Sequence, residues 1–237
     1  STQAKTLFPY TTLFRSMEHH IIEAALKAIL APRTFVLNRL QPEESSPKLG
    51  AGWGGVLKWC DATAARHAGP LNTDPTLSSF DAVIVHLDAD VAGFDYANLG
   101  RVSWLEYVAT KQWRPLPCAN PCPPPEPAAS ALHGVLLSWL NPASLGPTGI
   151  ICLPAMNTGA WLAAANLPSD HELLQGLECN ADIEGELSRL PLRFRINKAK
   201  RDNVLAKAPA VTARWTCVTQ HCSRAASFEA AVRAVFL

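Results

Sequence analysis

Residues 81–87 of this 237-residue chain read DAVIVHL and run straight into Asp88-Ala89-Asp90. A stretch so short, so apolar and so rich in β-branched side chains suits burial on both faces, the condition of an interior strand in a parallel sheet. Residues 149–153 (GIICL) have the same character, and residues 34–40 (TFVLNRL) read as a shorter strand. Helical patterns alternate with these runs. In residues 17–31 the apolar positions Ile21, Ile22, Ala25, Leu26, Ile29 and Leu30 recur at three- and four-residue steps until Pro32 stops them. Further helices are expected over 56–67, 128–140, 158–166, 183–190 and 227–237. The alternation predicts an α/β fold with a mainly parallel sheet flanked by helices, followed by a helical C-terminal part.

Two segments break the pattern. Residues 50–55 (GAGWGG) lack the Lys-Ser/Thr of a phosphate-binding loop and the spacing of a dinucleotide fingerprint, so a plain flexible loop is expected there. Residues 115–127 carry seven prolines and cannot be regular structure, which predicts a loop, an insertion or a flexible lid. No window approaches the roughly 18–20 apolar residues of a membrane span. Net charge is +1, so nucleic-acid binding would need a local patch. One exists: Arg193, Arg195, Lys198, Lys200, Arg201 and Lys207 have only Asp202 among them. Lys198, Lys200 and Arg201 are its candidate phosphate or nucleic-acid contacts, against a solvated helix face. Seven cysteines at irregular spacing do not read as a secreted disulfide framework, so a cytoplasmic setting is expected. Cys118, Cys122 and His133 fall short of a four-ligand zinc set.

The chemistry concentrates at the end of the 81–87 strand. In an extended segment residues i and i+2 share a face, so Asp88 and Asp90 should project together from the carboxyl end of the strand. Open α/β sheets bind their ligands there. Two such carboxylates repel unless a cation or a proton lies between them. Mg²⁺ or Mn²⁺ suits the pair, with Asp95 as a possible third oxygen ligand. The competing reading has Asp88 and Asp90 capping the next turn.

A strand ending in DAD after an amphipathic helix resembles the Toprim fold of topoisomerases, primases and OLD-type nucleases. More narrowly, residues 154–166 (PAMNTGAWLAAAN) are similar to an element of small stand-alone Toprim-like proteins of the OLD/RloB-like type, found beside ATPases in bacterial defence loci. The resemblance implies a metal-binding role for Asp88 and Asp90, a packing role for Trp161 and Leu162, and a phosphate-approaching role for Lys198 or Lys200. It also implies a metal-dependent nuclease or phosphoryl-transfer activity, with nucleic acid and an AAA- or ABC-type ATPase as partners. Two departures point the other way, towards a non-catalytic module working with an ATPase. Gly159 stands where relatives carry an acidic residue, and the family's glutamate, just after the first strand, would fall before Met17. A third alternative is a haloacid-dehalogenase-like phosphatase with Asp88 as nucleophile, although the lysine and later acidic pair of that class are not evident in the sequence.

Residues 6–16 (TLFPYTTLFRS) resemble the in-frame translation of a common sequencing-adapter oligonucleotide over eleven consecutive positions. Residues 1–16 are therefore expected to be an artefactual leader. Residues 17–237 are expected to form one Toprim-like domain whose first strand is missing.

Overall fold

The computed structural model describes residues 4–9, 17–41, 52–99 and 102–237. In chain order the elements are β1 (Ala4–Pro9), α1 (Met17–Ile29), β2 (Phe35–Gln41), α2 (Gly52–Arg66), β3 (Ala82–His86), α3 (Val102–Ala109), α4 (Glu126–Leu140) and β4 (Gly149–Cys152). The C-terminal part follows as α5 (Gly159–Asn166), α6 (Ile183–Arg189), α7 (Arg201–Ala213), α8 (Trp215–His221) and α9 (Ser223–Phe236). The four strands form one parallel sheet in the order β2-β1-β3-β4.

β1 pairs on both sides, with Ala4 opposite Phe35 and Thr6 opposite Ala82. The strand position expected to be empty is thus filled by residues 4–9, which overlap the adapter-like segment and were expected to stand outside the fold. Ladder hydrogen bonds are made by backbone N–H and C=O groups, so strand pairing places little demand on side-chain identity.

β3 is buried along its whole length, as its composition requires. Alternate side chains serve two cores: Ala82 and Ile84 join the one formed with α1 and α5–α9, whereas Val83, Val85 and Leu87 join the one formed with α2 and α4. The apolar stripe of α1 (Ile21, Ile22, Ala25, Leu26 and Ile29) is buried in the first core. There Trp161 stacks on Phe228 at 5.8 Å and meets Trp215 edge-on at 5.5 Å, so Trp161 does pack.

Two expectations about loops are corrected. The glycine-rich stretch is helical from Gly52 onward, and Gly54 lies where an added Cβ would come within 2.8 Å of Leu99 Cδ2. Gly54 permits that close packing. The proline-rich segment is irregular up to α4, as expected, but it is pinned. Cys118 N–H donates to the Ala92 carbonyl (2.8 Å), Tyr96 Oη donates to the Arg114 carbonyl (2.8 Å), and Leu116 is buried. Cys122 is disulfide-bonded to Cys179, with their Cα atoms 5.4 Å apart, so the irregular cysteine spacing concealed one bridge. Spacing along the chain carries no information about a pair brought together from 57 residues apart. Among the described residues no helix is long and apolar enough to cross a membrane.

Candidate active site at the carboxyl end of the sheet

The chain leaves β1 for β2 on one side and returns to β3 on the other, so the order reverses at the β1/β3 boundary. In open α/β sheets such a switch point, at the carboxyl ends of the strands, is the ligand-binding crevice. Asp88 lies there, two residues beyond β3, and its loop is stitched to the loop after β4. Leu87 N–H donates to the Cys152 carbonyl (3.1 Å), Ala89 N–H to that of Pro154 (3.0 Å) and Asp90 N–H to that of Met156 (3.4 Å). Met156 itself takes a left-handed conformation at φ 47°, uncommon for a residue with a side chain.

Asp88 is 2% exposed. It precedes the 3-10 turn Ala89–Gly93, yet its side chain makes no capping bond to that turn, which removes the capping reading for Asp88. One carboxylate oxygen, Oδ1, is buried without a hydrogen bond and lies 3.3 Å from His86 Nε2. Asp90 belongs to the 3-10 turn and not to an extended segment, so the strand-face argument fails for it even though the two carboxylates interact. Desolvation, then the Asp88 charge, push the Asp90 carboxyl up to about 7, with Lys198 opposing. Solvent reaches Asp90, which weakens the desolvation contribution; the Asp88 charge acts in the same direction. Asp95 is placed apart in a local turn, its Oδ1 accepting from Ala97 N–H at 2.7 Å.

Lys198 is 8% exposed and sits among carboxylates. Its Nζ is 2.8 Å from Glu18 Oε1 and donates to Glu184 Oε1 at 2.5 Å. Burial alone would lower its pKa, but Glu18, Asp88 and Glu184 together raise it, so the ammonium stays charged. The Glu18 carboxyl is raised by burial, against the pull of Lys198 and with the push of Asp88. Lys198 is held by a tight turn: Ala199 N–H donates to Asn197 Oδ1 (3.0 Å), Asn197 N–H to Asn203 Oδ1 (2.7 Å) and Ile196 N–H to the Leu187 carbonyl (3.1 Å). Lys200 and Arg201, by contrast, are exposed at the start of α7. The basic patch therefore divides into one buried lysine and a remainder that is exposed or half-buried.

Two acidic groups escaped the sequence reading. Glu18, in the first turn of α1, supplies a carboxylate beside the pair where none was expected. Its signal was present: positions 18, 22, 25 and 29 share one helical stripe, so Glu18 falls on the buried face and is 2% exposed. Glu184, from α6, lies beside Gly159: a Cβ at residue 159 would meet Asn157 Oδ1 at 2.6 Å and Glu184 Cγ at 3.0 Å. Thr158, just ahead of α5, is fully buried and its hydroxyl has no hydrogen-bond partner.

A hard divalent cation needs only one or two protein carboxylates, with water and phosphate completing its shell. The unbonded Asp88 Oδ1 with Asp90 fits that requirement. Among the described residues no group of three or more His, Cys, Asp or Glu side chains is arranged to hold a metal ion, and Asp88, Asp90 and Asp95 are not assembled as a triad. No family model, no curated protein and no solved structure matches the chain.

Proposed function

We propose that the carboxyl end of this sheet is a Toprim-like, Mg²⁺- or Mn²⁺-dependent site for phosphoester hydrolysis or transfer. The observation that carries the reading is the convergence of buried Asp88, Asp90 and buried, charged Lys198 at the switch point, with Asp88 spent on no turn. Asp88 and Asp90 would hold the cation, which when bound offsets charge developing on a phosphoryl group and acidifies water. Desolvation and the Asp88 charge raise the Asp90 carboxyl, so cation binding competes with a proton there and strengthens as pH rises. Lys198 supplies a fixed positive charge for a phosphate oxygen, and Glu18 and Glu184 hold its ammonium in place. On this reading nucleic acid is the substrate class and, by the resemblance, an ATPase the partner.

A haloacid-dehalogenase-like phosphatase is the second reading. It is favoured by buried Lys198, whose charge interacts with Asp88. Mn²⁺-dependent cleavage of single-stranded nucleic acid and of bis(p-nitrophenyl) phosphate, by parent and Asp88→Asn, tests the site. Loss of cleavage in a variant that keeps its fold by circular dichroism is the expected result. Cleavage unchanged by the substitution removes Asp88 from the chemistry, and no cleavage by either protein leaves the non-catalytic module. Trapping of a beryllofluoride adduct on Asp88 would select the phosphatase.

A further inference from the structure

A cavity of about 200 Å³ opens beside Asp90. Its walls come from the turn after β3, the proline-rich segment, the loop after β4 and the turn that carries Cys179, so the Cys122–Cys179 bridge closes one side. At ~30 Å³ per water it holds about seven waters. Sites that enclose whole drug-sized ligands run to ~300–1,000 Å³. One six-membered ring fits; a complete nucleotide does not.

The wall chemistry narrows the occupant. Ala89, Ala92, Ala119, Pro125, Ala155 and Met156 present an apolar surface that suits a flat, uncharged ring. Among the described lining residues there is no lysine or arginine, whereas Asp90 and Glu178 are both acidic. The Glu178 carboxylate is already engaged, accepting from Ser223 N–H, Ser223 Oγ and Arg224 N–H at the start of α9. The cavity therefore offers a phosphate no cationic side chain, whereas Lys198, which is not on its wall, carries one. Asn120 is the remaining polar group. Its Nδ2 donates one N–H to the Cys118 carbonyl at 3.1 Å, which leaves Oδ1 as an acceptor and the second N–H as a donor.

We infer that this cavity receives the neutral ring of the substrate, a pyrimidine-sized heterocycle whose N–H pairs with Asn120 Oδ1, while the phosphoryl group stays outside at Asp88 and Lys198. The inference rests on the phosphoester reading and sharpens it. A ring that enters this cavity has to be unstacked and unpaired, so the substrate class is a free nucleotide or an unpaired strand, not a base held in a duplex.

The test measures equilibrium binding of uridine to the oxidised full chain by ligand-observed NMR, a readout that needs no turnover. Saturable binding is expected, weakened roughly tenfold or more by Ala119→Phe, which places a ring over the cavity from an exposed loop position and spares the core. Leu192→Ala, at an exposed residue off the cavity wall, should bind as the parent does, 3-methyluridine, which lacks the N–H, should bind more weakly than uridine, and inorganic phosphate should not compete. Absence of saturable uridine binding, or binding that Ala119→Phe leaves unchanged, overturns the assignment. Equal binding of 3-methyluridine overturns the Asn120 pairing, and competition by phosphate overturns its exclusion from the cavity. Failure of cleavage alone bears on the phosphoester reading and leaves this measurement standing.

Discussion

Lys198→Met removes the positive charge from the buried cluster while keeping most of the side chain's bulk. Glu18 and Asp88, each 2% exposed, then face each other and Glu184 without a compensating cation. Breaking a buried ion pair from one side costs about 3–5 kcal/mol, because the surviving charge keeps its desolvation penalty. For a chain of this length ~3 kcal/mol corresponds to a fall in melting temperature of about 6–12 °C. The loss has a pH signature. Without Lys198 the Glu18 carboxyl, already raised by burial, rises further, so the folded state binds protons that the unfolded state releases. Stability then falls as pH climbs from the unfolded carboxyl range near ~4 towards the raised folded value. The deficit should be largest at pH 8 and shrink at pH 5, and Glu18→Gln in the Lys198→Met background should recover part of it at pH 8. Urea unfolding followed by the fluorescence of the seven tryptophans measures each quantity. A deficit below about 1 kcal/mol at pH 8, or one that does not change with pH, would refute the buried cluster.

Asp90→Asn tests the carboxyl raised to about 7: the parent should lose stability between about pH 4 and 7, where only its folded state holds the proton. The variant should gain on the parent above pH 7 and match it near pH 4; parallel urea midpoints across that range would contradict the raised carboxyl. Reducing Cys122–Cys179 opens a closed loop of 57 residues, for which chain entropy gives about 4 kcal/mol and measured bridges about 2–4; an unchanged urea midpoint in dithiothreitol would exclude the bridge as a stabilising tie. Trp161→Ala removes a ring that is 1% exposed and stacked on Phe228, at about 3–5 kcal/mol. Leu192→Ala, at a residue 82% exposed, should stay within about 0.5 kcal/mol.

Local pattern was enough for elements whose burial is periodic. Residues 81–87 announced β3, 149–153 announced β4, and the stripe from Ile21 to Ile29 announced α1, because a strand between two cores and a helix on one core each impose a repeat that the sequence must obey. The DAD pair was legible as a candidate site for the same reason, standing where an apolar run stops. The failures lie where burial is not periodic or the partners are distant. Gly52, Gly54 and Gly55 look like loop residues until α2 is packed against Leu99. Lys198 looks like one member of a basic run until a tight turn buries it.

The sequence by itself determined a parallel α/β sheet with an acidic pair at the end of its central apolar strand, since apolar periodicity and chain order are properties of the string. Only the tertiary structure decided which charges answer that pair. Glu18 from α1 and Glu184 from α6 meet Lys198, in the turn before α7, across up to 180 residues, and the Lys198 charge interacts with Asp88; Cys122 finds Cys179 in the same way. Electrostatic and covalent partners are chosen by distance in space, and folding sets that distance with no trace in local spacing.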